Sequence, residues 1–184
     1  LEHVVVTPSL TYLVGEVAQY AASGTEKLLQ AVRAYRMAET IGRPIAATAM
    51  GWDWAYVKEH GCEGLVQVWI ALSYACGQRL MAPHRMWCFT PEKGTHWYNG
   101  PTEVYAPLYR FVREQPDLFR DTATVGSLAP PDDVPQRFDT HRQRQALADV
   151  LDAGDPRPIV AGDRLWVFPR RRDNGDGVVH VVNL

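Results

Sequence analysis

Glu16 follows a short apolar run and a glycine, Gly15, while Asp53 follows a second such run and carries an indole on each side, Trp52 and Trp54. Acid/base cleavage of a glycosidic bond needs two carboxyl groups across that bond, about 5 Å apart for retention and about 6.5–9.5 Å for inversion. Gly15 leaves room for a ligand beside Glu16, and indole faces offer flat apolar surfaces on which a pyranose ring stacks. Each carboxylate also has a plainer reading. Glu16 suits a solvated loop position, and Asp53 suits the cap of a following helix beside two core tryptophans.

The densest segment runs from Pro83 to Gly100 and holds His84, Arg85, Trp87, Glu92, Lys93, His96 and Trp97. Five of the six tryptophans fall between residues 52 and 97, so an aromatic ligand surface is expected there, with His84, Arg85, Trp87 and Trp97 facing the ligand. A long aromatic loop after a strand is costly unless packed, and functional loops are the usual exception. For Glu92, Lys93 and His96 an internal salt-bridged loop is an equally good reading. His84 and His96 lack a third ligand at a familiar spacing, so no metal is expected, and no cofactor motif is present. Cys88 lies between Trp87 and Phe89, which would desolvate a thiolate, and it is not read as a nucleophile.

Strand–helix units must position these groups. Residues 3–16, 44–52 and 80–85 read as short buried strands, each ending in polar or aromatic residues. Helices are expected near 25–41, 64–76 and 102–114; the first has Leu28, Leu29, Val32, Tyr35 and Ala38 at helical spacing before Gly42. Three successive units with short connections predict parallel strands, because the helix supplies the crossover that parallel pairing needs. A (β/α)8 barrel and an open doubly wound sheet both satisfy this. The barrel is favoured because chemistry-bearing residues gather at the strand ends and no glycine-rich phosphate loop follows the first strand. Two domains are expected: residues 1–120 as the C-terminal half of a barrel, and 121–184 as a small, mainly β accessory segment. In the latter, 129–133 reads as a linker and 140–151 as a polar helix. Strands at 159–160, 165–168 and 178–182 follow, with turn chemistry at Asp173-Asn174-Gly175-Asp176-Gly177.

The 184 residues are 46% hydrophobic and 22% charged with a net charge of −2, which fits a globular chain and offers no basic stripe for nucleic acid. The one dense basic run, Arg170-Arg171-Arg172, is followed by Asp173 and Asp176 and reads as a solvated hairpin tip. Three cysteines without a CxxC spacing suggest neither a disulfide framework nor a zinc site, which favours a reducing, cytoplasmic compartment. No stretch reaches the roughly 18 apolar residues of a membrane span. The chain opens Leu-Glu-His and runs directly into a strand, so a fragment or processed chain is expected.

The runs Gly-Arg-Pro-Ile-Ala-Ala-Thr-Ala-Met-Gly-Trp-Asp-Trp, Trp69 to Gly77, Ala82-Pro83-His84 and Tyr105 to Arg113 resemble the last part of bacterial TIM-barrel glycoside hydrolases, over about residues 3–120. The resemblance is one of architecture and phrasing and rests on no unique motif. It implies that the three strands are the sixth, seventh and eighth, that Glu16 is the acid/base, and that the usual partner carboxylate on the fourth strand is absent. Asp53 is then the in-chain candidate for the second carboxylate. Half a barrel has two open edges, so an oligomer or a complementing chain is expected. Two functions follow from the same residues: a glycoside hydrolase or part of one, or a non-catalytic carbohydrate-binding or interaction module that keeps the aromatic rim.

Overall fold

The computed structural model describes residues 11–16, 25–40, 42–82, 101–124, 159–161 and 165–184. Expectations placed on residues 1–10, 83–100 and 125–158 lie outside the described residues. These include the linker, the polar helix and the aromatic loop. Along the chain come β1 (Leu13–Glu16), α1 (Thr25–Thr40), β2 (Ile45–Thr48), α2 (Gly51–His60), α3 (Glu63–Ala75), β3 (Arg79–Leu80) and α4 (Thr102–Glu114). A 3-10 turn (Pro116–Leu118) then leads to β4 (Thr122–Thr124), β5 (Ile159–Ala161), β6 (Leu165–Arg172) and β7 (Gly177–Asn183). The protein is mixed α/β with two small sheets.

The first sheet is parallel in the order β1-β2-β3, with Leu13 opposite Ile45, Glu16 opposite Thr48, and Ala47 opposite Leu80. Helix α1 crosses between β1 and β2 because Leu28, Ala31, Val32, Tyr35 and Ala38 repeat at three- and four-residue spacing and all are buried. It stops where Gly42 adopts a φ of +65° and Arg43 donates to the Ala38 carbonyl at 2.9 Å. Side chains pin the strand ends. Gln78, itself buried, accepts from the Ile45 N–H at 2.7 Å, and the Tyr109 hydroxyl donates to the Leu80 carbonyl at 2.8 Å while accepting from the Ala82 N–H at 3.2 Å.

One helix departs from the sequence reading. Residues expected to end the second strand instead open α2, which leaves the sheet at once after Met50 and closes at Gly61, whose φ is +59°. Only Asp53, Trp54 and Val57 of its ten residues are buried, so the apolar period is too sparse to announce a helix. Trp54 meets Trp69 of α3 edge to face, with ring centroids 5.5 Å apart.

The second sheet is antiparallel, with β6 pairing β7 along one side and both β4 and β5 along the other. The β6–β7 turn is held by Arg172 donating to the Asp176 carbonyl at 2.8 Å and by Asn174 Oδ1 accepting from the Asp176 N–H at 3.0 Å. Trp166, Phe168 and Val182 enter the same buried cluster as Val32, Trp54 and Trp69, so the two sheets share one core.

Arg170 corrects the solvated-tip reading. Strand alternation places Trp166, Phe168 and Arg170 on the inner face of β6, and the guanidinium is only 3% exposed. Its donors are met by Glu39 Oε1 at 2.9 Å, Thr122 Oγ1 at 2.7 Å, Thr124 Oγ1 at 3.2 Å and the Thr122 carbonyl. Glu39 also takes the Thr124 hydroxyl at 2.6 Å and Arg36 at 3.3 Å. Gly77 makes room: its φ is +72°, and a Cβ there would stand 2.6 Å from Arg170 Nη2. Cys76 lies fully buried beside this cluster, and burial pushes its thiol up to about 12.

Glu39→Ala leaves a buried guanidinium without its carboxylate and is expected to cost on the order of 3 kcal/mol in urea denaturation. A loss below about 1 kcal/mol, the level of an exposed pair, contradicts this account. His180 supplies a pH dependence. It stacks on Phe119 at 5.1 Å, its Nε2 is buried without a hydrogen-bond partner among the described residues, and burial, then Arg170, hold its pKa below the ordinary value. The unfolded chain therefore binds the proton more tightly, so stability is full above about pH 6.5 and falls as pH drops below it. The melting temperature of the wild type should fall more steeply from pH 7.5 to pH 5 than that of His180→Phe; equal slopes refute it.

Candidate functional site

The C-terminal ends of β1, β2 and β3 share one edge of the parallel sheet, the side on which such folds place their ligand-binding residues. Glu16 is the last residue of β1 and is exposed, directly opposite Thr48. Thr48 is buried and its hydroxyl donates to the Met81 carbonyl at 3.0 Å, tying the end of β2 to the exit of β3. The Met81 N–H reaches the Ala47 carbonyl at 2.7 Å, and the Met81 side chain is exposed. Neither Thr48 nor Met81 was singled out from the sequence. The signal for Thr48 was a lone hydroxyl closing an otherwise apolar strand.

The triplet Trp52-Asp53-Trp54 divides into three roles because it forms a first helical turn, in which successive side chains diverge by about 100°. Trp52 projects to solvent and is 69% exposed. Trp54 is fully buried against Trp69, so its indole has no face free for a sugar, contrary to the ligand-facing role expected for it. Asp53 is 3% exposed, and its Oδ2 accepts from the Met50 N–H at 3.3 Å. A carboxylate in the first turn also complements the positive helix end. The two indoles therefore do not flank Asp53 as a pair.

Among the described residues, the edge thus combines one exposed carboxylate, Glu16, with one exposed indole, Trp52. His84, Arg85, Trp87 and Trp97 lie outside the described residues, as do Glu92, Lys93 and His96. No group of three or more His, Cys, Asp or Glu side chains able to hold a metal ion occurs among the described residues. Nor is any described helix long and apolar enough to cross a membrane. No protein-family model, no curated protein and no solved structure matches the chain.

The division of roles can be measured. Asp53→Ala removes a helix-end acceptor and should lower stability by about 1 kcal/mol. Trp52→Ala should leave the unfolding midpoint within the experimental error of the wild type, as expected for an exposed side chain. The reverse order of effects would return Trp52 to the core.

Proposed function

We propose that the chain is a carbohydrate-active protein, a glycoside hydrolase or part of one, whose ligand edge is the C-terminal end of the β1-β2-β3 sheet. The observation that supports this is the pairing on that edge of an exposed indole, Trp52, with an exposed carboxylate, Glu16, at the end of the neighbouring strand. Trp52 offers a face for stacking a pyranose ring, and Glu16 is the candidate acid/base for the glycosidic oxygen. Its partner carboxylate is a separate requirement. The burial of Asp53 and its bond to Met50 favour a second reading, a binding module that holds sugar without cleaving it. Candidate ligand contacts on His84, Arg85, Trp87 and Trp97 belong to either reading.

The barrel assignment enters here as well. Three parallel strands with intervening helices are what the last three units of a (β/α)8 barrel contain, and such a segment leaves edges that another chain or chain segment must cover. Val14 of β1 is 63% exposed and Tyr12 beside it 56%, although a closed barrel would cover this strand.

A panel of aryl glycosides and oligosaccharides separates the two functional readings. Hydrolysis that Glu16→Gln abolishes supports the enzyme; binding by calorimetry without turnover supports the module. In both, Trp52→Ala should weaken binding several-fold, about 1 kcal/mol, from the lost aromatic contact. Absence of both binding and turnover across the panel counts against a carbohydrate ligand. For assembly, light scattering should give a mass of at least two chains of 20.7 kDa, and Val14→Lys should reduce it by charging the open edge. A stable, well-folded monomer defeats that expectation.

A further inference from the structure

A recess of about 170 Å³ is lined by Arg79, Arg113 and Arg120 together with Tyr74, Tyr109 and Phe119. Three arginines line it, and no carboxylate is among the lining residues. The contrast with other arginines is direct. Arg170 and Arg36 share Glu39, and Arg172 reaches Asp117 and Asp176, whereas none of the three pocket arginines has an ion-pair partner among the described residues. Like charges around one concavity raise the local positive potential and draw in an anion.

The recess is also preorganised. Arg79 Nη1 donates to the Gln78 carbonyl at 2.9 Å and the Gly77 carbonyl at 3.4 Å, which fixes the guanidinium 5.1 Å above the centroid of the Tyr74 ring. Its remaining donors make no hydrogen bond to the described residues. Tyr74 in turn packs edge to face on Phe119 at 5.8 Å and on Tyr109 at 6.3 Å, so the aromatic walls brace one another. Arg113 and Arg120 are exposed and flank this floor from α4 and from the residues after the 3-10 turn.

We propose that this recess is a binding site for a phosphate dianion, free or carried by a small monoester. Guanidinium forks match phosphate oxygens in paired hydrogen bonds, and three of them suit a doubly charged tetrahedral group better than a single carboxylate. The recess, about 170 Å³ and open on one side, takes a phosphate group and lets a small organic substituent reach toward solvent. The site is independent of the carbohydrate reading, for it uses Arg79 at the start of β3 and none of the edge residues Glu16, Trp52 or Met81.

The test titrates the full chain with inorganic phosphate, with phenyl phosphate and with sodium chloride at matched ionic strength. Calorimetry and the arginine Nε–H signals in NMR provide the readouts. Saturable binding of either phosphate, absent with chloride and weakened about tenfold in Arg113→Gln and in Arg120→Gln, is the expected result. Tighter binding of phenyl phosphate identifies a ring-bearing monoester, and equal binding identifies the phosphate group alone. Both variants change exposed side chains, and Arg113→Lys, which keeps the charge and loses the fork, should bind with intermediate strength. Binding no stronger than chloride, or affinity unchanged in the two glutamine variants, overturns the proposal.

Discussion

Removing a guanidinium from water costs several kcal/mol unless nearly all of its donors are met, and the arrangement of the two sheets follows from how Arg170 meets that demand. Its partners come from α1 and β4, and Glu39 stands 131 positions before Arg170 in the chain. β4 lies on the same side of β6 as β5, and the last turn of α1 presents Glu39 to Thr124 as well as to Arg170. Apolar contacts among Trp54, Trp69, Trp166 and Phe168 supply driving force but little direction. The hydrogen bonds around Arg170 supply the direction, because they weaken steeply with angle. Gly77 contributes by absence, its missing Cβ leaving the space the guanidinium occupies.

Elements with strong periodicity were legible before the structure. The buried stripe of α1, the apolar β2 and the turn residues 173–177 each announce themselves, and the parallel order of the first three strands follows from their helical crossovers. β4 was not legible. Its three residues, Thr-Ala-Thr, carry no apolar pattern, and their pairing is set by long-range contact with Arg170, Arg171 and Arg172. Arg170 itself was misplaced for a related reason. Its like-charged neighbours and the acidic turn suggested solvent, yet counting by twos from Trp166 puts it inside, which shows strand period outranking local charge.

The candidate edge shows the same competition at the level of three residues. Had the chain stayed extended through Trp54, alternation would have set the two indoles on one face and Asp53 on the other. A helix starting at Gly51 instead sends one indole to water, one to the core, and the carboxylate back to Met50. Residue types were therefore readable as aromatic and acidic chemistry, but their directions depended on where one helix began. That beginning is decided by an abrupt exit from the sheet, for which the sparse buried positions of α2 gave little warning.

Tyr109 works as a rivet. Its single oxygen binds the Leu80 carbonyl and the Ala82 N–H at once, joining the middle of α4 to the place where the chain leaves the sheet. Burial pushes the phenol up to about 12, so it remains a donor at every pH at which the fold is of interest. Two hydrogen bonds tolerate only a few tenths of an ångström of slip before they weaken. Helix α4 and the exit of β3 are thereby coupled directly, so a displacement of the helix bears on the strand end without passing through the intervening chain.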